Sequence, residues 1–141
     1  MELKLSDFEG AWEMTRVIEG DLGGRTGRFR GHARFTPEGP CLRYVEEGEL
    51  ELAGVRMTAG QEHLWQAEGL IFHVSFADGR PFHDFDGSVE RPAARHDCPP
   101  DLYLVQYDFS AWPDWVSEWH VTGPRKDYRV RTAYRRVAVQ S

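Results

Sequence analysis

Cysteine is scarce in this chain, which has two thiols, Cys41 and Cys98, among 141 residues. A disulfide between them would require an oxidising compartment. Residues 1–5 carry charges of both signs and lack the continuous apolar run of a signal peptide. We therefore predict a cytoplasmic protein in which both thiols are free.

Positive charge and long apolar runs are scarce as well. The formal net charge is −6 at pH 7, whereas proteins that bind a phosphate backbone need a clustered excess of Lys and Arg. The basic residues concentrate at positions 125–136, where they form either an outward strand face of alternating charge, which is the more common arrangement, or a binding patch. No apolar window reaches the length of a membrane span. We predict neither a nucleic-acid partner nor a membrane partner.

Aromatic residues, by contrast, are abundant. Eight Phe, five Tyr and five Trp make up 13% of the chain, and 40% of the residues are hydrophobic. Aromatic and β-branched side chains suit the pleated surface of a sheet, and a chain of this length supports one substantial core. The composition predicts one all-β domain over residues 1–141.

Alternation of apolar and polar residues indicates where the strands lie. After a short helical turn at residues 6–9, which Gly10 ends, a period of two begins at Trp12. The clearest case is the run around Phe29 and Phe35, where apolar or small residues alternate with Arg and His. The pattern and its turns predict nine strands, at residues 12–19, 26–35, 42–52, a run ending at 66, 70–76, a run from 82, 102–109, 116–122 and 128–139.

Short strands joined by tight turns, with no helix between them, indicate a sandwich or an antiparallel up-and-down barrel. Antiparallel closure requires an even number of strands, so a count of nine suggests an error between Asp86 and Cys98 or at Gly48 in the long third run. We predict an all-β, antiparallel up-and-down β-barrel of roughly 8 to 10 strands with a short N-terminal helical turn.

Three residues carry a resemblance to a known superfamily. A short helical plug, then Gly10 and Trp12 opening the first strand, and Arg136 on the last strand resemble the calycins, which include lipocalins, fatty-acid-binding proteins and avidins. The resemblance implies that Trp12 closes one end of the barrel with Arg136 lying over it, a contact in which a guanidinium seals apolar surface. In addition, residues 76–83, 98–107 and 122–128 resemble a small bacterial family of uncharacterised function.

If Trp12 marks the closed end, the turns after the first, third, fifth and seventh predicted strands lie at the open end. The mouth would then carry cations and aromatic groups, namely Arg25, Arg80, His83, Trp112 and Trp115. A small barrel with polar groups at its mouth is a usual place for an organic ligand.

Three histidines are candidates for chemistry. His83, within Phe82-His83-Asp84-Phe85, is either a general acid/base or haem ligand or an ordinary hydrogen-bonded side chain. The same alternatives apply to His73 in the apolar fifth run, and His63 is a weaker candidate. The consecutive residues His96-Asp97-Cys98 offer zinc-ligand types but rarely converge, so no metal site is predicted.

Two aromatic pairs each share a strand face: Tyr103 with Tyr107, and Trp115 with Trp119. They fill the core or form a wall that faces a ligand. An arginine that points into a barrel must meet a carboxylate or an anionic ligand to offset its desolvation. Arg16 and Arg43 are therefore of interest, unless they point outward.

We predict a protein that binds a partly apolar small molecule inside the barrel, with an anionic ligand as one option. The predicted ligand contacts are Arg43, His73, Arg80, His83, Tyr103, Tyr107, Trp115 and Trp119. One alternative is an enzyme on the same barrel, either a histidine-assisted isomerase or hydrolase or a barrel that binds haem through His83 or His73; no other cofactor is expected. The other is a ligand-free module whose exposed strand edges pair in a homodimer.

Overall fold

The computed structural model describes residues 2–20 and 26–137, in which one antiparallel sheet contains ten strands. A helical turn, Leu5–Phe8, precedes the sheet. The strands are β1 (Gly10–Gly20), β2 (Gly27–Glu38), β3 (Cys41–Leu52), β4 (Val55–Glu68), β5 (Ile71–Phe76), β6 (Pro81–Asp86), β7 (Ala93–Cys98), β8 (Asp101–Asp108), β9 (Trp115–Gly123) and β10 (Lys126–Arg136). Their order in the sheet is β6-β5-β4-β3-β2-β1-β10-β9-β8-β7.

The sheet curls into a nearly closed barrel, which confirms the predicted fold class. Its two edge strands, β6 and β7, face each other, and Phe82 packs on His96 across the seam with ring centroids 5.2 Å apart. Within the described residues no hydrogen-bonded ladder joins these two strands. No helix in the described ranges is long and apolar enough to cross a membrane.

The strand absent from the sequence-based count is β7. None of its six residues is buried, so it lacks the apolar alternation from which strands are predicted. The other suspected position, Gly48, lies within the unbroken strand β3 opposite Gly31 of β2. A Cβ on either glycine would overlap the backbone of the neighbouring strand, so these glycines permit a close approach of two strands.

Because β7 was not predicted, the loops that follow it lie at the end of the barrel opposite to the predicted one. Residues 109–114 lie at the end that contains the helical turn, where Phe8 packs on Trp112 and Trp115 with centroid distances of 5.0 and 5.5 Å. The prediction that Trp112 and Trp115 line the mouth is therefore wrong. Arg25, which was also predicted at the mouth, lies outside the described residues.

The closed end has the arrangement that the calycin resemblance implied. The Arg136 guanidinium lies 4.0 Å from the centroid of the Trp12 ring. It donates hydrogen bonds to the carbonyl oxygens of Glu9, at 2.7 Å, and Asp7. The indole Nε1 of Trp12 donates to the carbonyl oxygen of Phe8 at 2.9 Å. Trp12 and Arg136 thus attach the helical turn to the barrel.

Aromatic rings fill the closed half of the interior. Phe8 is fully buried and lies at the centre of a group that we call the aromatic floor. Its ring centroid lies between 5.0 and 5.8 Å from those of six others: Phe35, Trp65, Phe72, Phe109, Trp112 and Trp115. Any space for a ligand must therefore lie nearer the open end.

Candidate functional site

The interior becomes polar between the aromatic floor and the open end, around one buried ion pair. Arg16 of β1 and Glu46 of β3 both point inward and are only 8% and 2% exposed. Two hydrogen bonds join them, from Nη1 to Oε2 at 2.6 Å and from Nη2 to Oε1 at 3.0 Å. Arg16 Nε also donates to Thr132 Oγ1 at 2.9 Å. This bidentate geometry suits a guanidinium and a carboxylate.

Two tyrosines extend the ion pair into a network. The Tyr44 hydroxyl lies 2.7 Å from Glu46 Oε1 and 2.9 Å from the Tyr134 hydroxyl. Because Tyr44 donates its only hydroxyl hydrogen to the carboxylate, Tyr134 is the donor to Tyr44. Burial, followed by the charge of Glu46, raises the pKa of Tyr134 to about 12. Both hydroxyls therefore remain protonated donors.

The charge of Arg16 persists despite its burial. Desolvation is the largest single influence and works against the cation, but hydrogen bonding to Glu46 and the charge interactions with Tyr134, Glu46 and Tyr44 together outweigh it and raise the pKa of Arg16 above its ordinary value. The guanidinium carbon also lies 5.2 Å from the centroid of the Phe29 ring. A buried pair of this kind gains little net stability over apolar residues, which makes a functional role worth testing.

A cavity of about 210 Å³ lies on the open side of the ion pair. Arg16, Glu46 and Thr132 form its polar floor. Its walls are mostly apolar or aromatic and include Ile18, Phe29, Leu50, Trp119, Tyr128 and Val130. We call this space the upper cavity.

The rim beside the upper cavity is apolar. Val55 and Met57 of β4 lie beyond Ala59, which lines the upper cavity, and share its strand face. They are 57% and 45% exposed, although large apolar side chains are usually covered. The rim can therefore offer apolar contact to a molecule that extends out of the upper cavity.

A second, much smaller cavity of about 30 Å³ lies between the ion pair and the aromatic floor. His83, Tyr107 and Trp115 are among its lining residues, and Arg16, Glu46 and Trp119 line both cavities. The ion pair therefore separates the two spaces. We call the smaller one the lower cavity.

His83 reaches the lower cavity because β6 contains a β-bulge. Val74 pairs with His83 but the next residue, Ser75, pairs with Pro81, so Phe82 is the extra residue. The bulge buries the consecutive side chains of Phe82 and His83. Burial, followed by the influence of His63, lowers the pKa of His83 to about 3. The imidazole is therefore neutral, and its Nε2 lies 2.7 Å from the Tyr107 hydroxyl.

Arg43 does not face the interior. It points outward, next to the inward Tyr44, and hydrogen-bonds to Glu38 at 2.8 Å and Glu62 at 3.2 Å. The predicted role of Arg43 inside the barrel is therefore not supported by its position. The inward arginine of this region is Arg16.

His73 and Arg80 are also outside the barrel. His73 Nδ1 lies 2.7 Å from Asp84 Oδ1 on the outer face, and this hydrogen bond raises the pKa of His73. Arg80 is exposed in a turn at the open end, where its Nε donates to Asp78 at 2.7 Å. Neither residue contacts the upper or lower cavity, so both are left out of the site.

The four predicted aromatic contacts all point inward, but at different depths. Tyr107 and Trp115 are 3% and 2% exposed and belong to the packed core around the lower cavity. Tyr103 and Trp119 are half-buried, with ring centroids 6.4 Å apart. Of these four, Trp119 is the one that also lines the upper cavity.

Four residues of the site were not predicted from the sequence, namely Glu46, Thr132, Tyr44 and Tyr134. Glu46 shares one parity with Leu42 and Tyr44 along β3, and that parity was a usable sign that the carboxylate points inward. His63, the weakest candidate, is 7% exposed and stacks on Phe82.

The cavities do not accommodate a haem. The lower cavity beside His83 has about 30 Å³, which is room for about one water molecule, and His73 lies on the outer surface. Over residues 2–20 and 26–137, no three His, Cys, Asp or Glu side chains are placed to hold a metal ion together.

Comparison with known proteins defines a family and a fold. The family model described as "Family of unknown function (DUF6314)" matches residues 8–136. No curated protein matches the chain. Among solved structures, the S-type phycobiliprotein lyase CPES from Guillardia theta is similar with a TM-score of 0.65. The similarity covers 96% of this chain and 92% of that chain at 6% sequence identity, which shows a shared fold alone. Because the family model spans the barrel from the helical turn to the last strand, the chain belongs to this family of unknown function.

Proposed function

We propose that this protein binds a small, partly apolar molecule in the upper cavity, with the polar end of the molecule on the Arg16–Glu46 pair. The observation that carries the proposal is a cavity of about 210 Å³ with largely apolar walls and one charged, hydrogen-bonded floor. Ligand sites in barrels commonly combine apolar walls with a few oriented polar groups.

The floor favours a neutral polar group over an anion. The charge of Arg16 is already balanced by Glu46, whose carboxylate lines the same cavity. Arginine has five N–H donors, of which three are engaged by Glu46 and Thr132. The other two can donate to a carbonyl or hydroxyl oxygen. The proposal therefore replaces the anionic option with a neutral hydrogen-bond acceptor.

The size of the upper cavity limits the ligand. Its 210 Å³ corresponds to about seven groups of the size of a water molecule, which is below the usual range for drug-sized ligands. A longer apolar chain would have to continue over the exposed side chains of Val55 and Met57. A short amphiphile with a neutral head fits these constraints best.

A matched set of probes tests the proposal. Hexanamide, hexanol and hexanoate share a similar chain length but differ in the charge of the head group. We expect hexanamide and hexanol to bind in NMR titrations, and hexanoate to bind more weakly because its charge faces Glu46. Equal affinities for all three, or no binding of any, would refute the proposal.

Two neighbouring substitutions locate the binding. Ala59 lines the upper cavity, whereas the adjacent Thr58 points outward and is exposed. Ala59→Leu should fill the upper cavity and abolish binding of hexanamide, and Thr58→Leu should leave it unchanged. Binding that survives Ala59→Leu in a folded protein would place the ligand elsewhere.

The two remaining expectations concern location and assembly. We propose a cytoplasmic protein, and the free thiols of Cys41 and Cys98 support this location. Fractionation of cells that produce the protein should recover it with the cytoplasmic proteins.

The homodimer alternative required exposed sheet edges, but β6 and β7 face each other. Sedimentation should give the mass of one chain.

A further inference from the structure

Two buried polar atoms beside the lower cavity have no protein partner. His83 Nδ1 and Trp115 Nε1 lack a hydrogen bond to any residue in the described part of the chain. His83 is 5% exposed and Trp115 is 2% exposed. Most buried polar groups in proteins are hydrogen-bonded, so two unpaired atoms on residues that line one cavity require an explanation.

Both atoms are hydrogen-bond donors. An indole Nε1 is always a donor. The tautomer of His83 follows from its contact with Tyr107, whose hydroxyl lies 2.7 Å from His83 Nε2. Burial raises the pKa of Tyr107 well above its ordinary value, so this hydroxyl is protonated. If Tyr107 accepted a hydrogen bond from Nε2, its own hydrogen would have no partner among the described residues. We therefore assign Nε2 as the acceptor and Nδ1 as the atom that bears the hydrogen.

The lower cavity has the size and lining to accept both hydrogens. It measures about 30 Å³, and both His83 and Trp115 line it. This is enough for about one water molecule. Ser117, which is 6% exposed, lines the same cavity and provides a hydroxyl acceptor.

We propose that the lower cavity is a binding site for one water molecule, which accepts hydrogen bonds from His83 Nδ1–H and Trp115 Nε1–H and donates to Ser117. Two donors repel a cation, and the Arg16–Glu46 pair in the same lining has no net charge with which to hold an anion. A neutral acceptor oxygen is the ligand that satisfies both. The water joins the His83–Tyr107 pair to Trp115 and Ser117, and it needs no ligand in the upper cavity.

NMR spectroscopy of the full, uniformly ¹⁵N-labelled chain tests the site without any added ligand. The indole hydrogen of Trp115 should show a nuclear Overhauser cross-peak at the water frequency. Trp12 is the internal control, because its indole hydrogen is donated to the carbonyl oxygen of Phe8. Long-range ¹H–¹⁵N correlations should show the Nδ1–H tautomer of His83.

A variant separates bound water from exchange through a neighbouring hydroxyl. In Ser117→Ala the cross-peak at Trp115 should persist, because both donors to the water remain. Loss of the peak in a folded Ser117→Ala protein, absence of the peak in the wild type, or an Nε2–H tautomer of His83 would each overturn the proposal. None of these results depends on whether hexanamide binds the upper cavity, so the two proposals fail separately.

Discussion

Replacing one partner of the Arg16–Glu46 pair should destabilise the protein far more than replacing both. The two side chains are 8% and 2% exposed, so either one left alone is a buried, uncompensated charge. Breaking a buried pair in this way typically costs about 3–5 kcal/mol of unfolding free energy. Replacing both partners with apolar residues of similar volume is often neutral or stabilising.

The structure also ranks the two single variants. In Arg16→Met, Glu46 keeps its hydrogen bond from Tyr44 and can become neutral by binding a proton, so we expect a loss of about 3 kcal/mol. In Glu46→Leu, Arg16 cannot lose its proton and Tyr44 loses its acceptor, so we expect a loss of about 5 kcal/mol. The double variant should recover most of both losses.

Urea unfolding followed by tryptophan fluorescence measures these differences directly. Arg43→Met is the matched control, because Arg43 forms exposed ion pairs with Glu38 and Glu62, and exposed pairs contribute little. Equal effects of Arg16→Met and Arg43→Met, or a double variant as unstable as Glu46→Leu, would refute the reasoning about burial.

Three further predictions concern acid, the closed end and the glycine contact. The pKa of His83 is about 3 in the folded protein and about 6.5 when unfolded. The neutral His83 therefore contributes its full stabilisation above about pH 6.5, and this contribution falls by about 2 kcal/mol at pH 5. Between pH 8 and pH 5, the free energy of unfolding measured in urea should fall by about 2 kcal/mol more for the wild type than for His83→Gln. Arg136→Met removes the contact with Trp12 and two hydrogen bonds, so we expect a loss of about 2 kcal/mol; an unchanged urea midpoint would contradict the role of Arg136. Gly48→Ala places a Cβ against the backbone of β2 and should lower the thermal midpoint by several degrees or more, whereas an unchanged midpoint would show that the strands can separate there.

Alternation along single strands was enough to predict most of the barrel. It identifies strands with one buried face, such as β2, in which Phe29 and Phe35 are 4% and 1% exposed. It cannot identify β7, which buries no residue. Because β7 was omitted, the predicted direction of every later strand was reversed. The prediction therefore placed Trp115 at the wrong end of the barrel.

The site was less predictable because it depends on contacts between strands. Arg16 and Glu46 lie 30 residues apart and meet across β2, and no pattern within either strand reveals that register. The bulge in β6 is similarly hidden, since simple alternation places Phe82 and His83 on opposite faces, whereas both are buried. Tyr44 and Glu46 are two residues apart on β3 and therefore share a face, which was visible in the sequence. Arg43, next to Tyr44, must then point to the opposite, outer face.

The most direct measurement is a titration of the methyl-labelled protein with hexanamide, followed by NMR. Ile18 and Leu50 line the upper cavity, whereas Val17 and Leu104 line a groove on the outer face of the barrel. The proposed function predicts saturable shifts of the Ile18 and Leu50 methyl signals with little change at Val17 and Leu104. Shifts confined to Val17 and Leu104, or no saturable shift at any of the four, would contradict it.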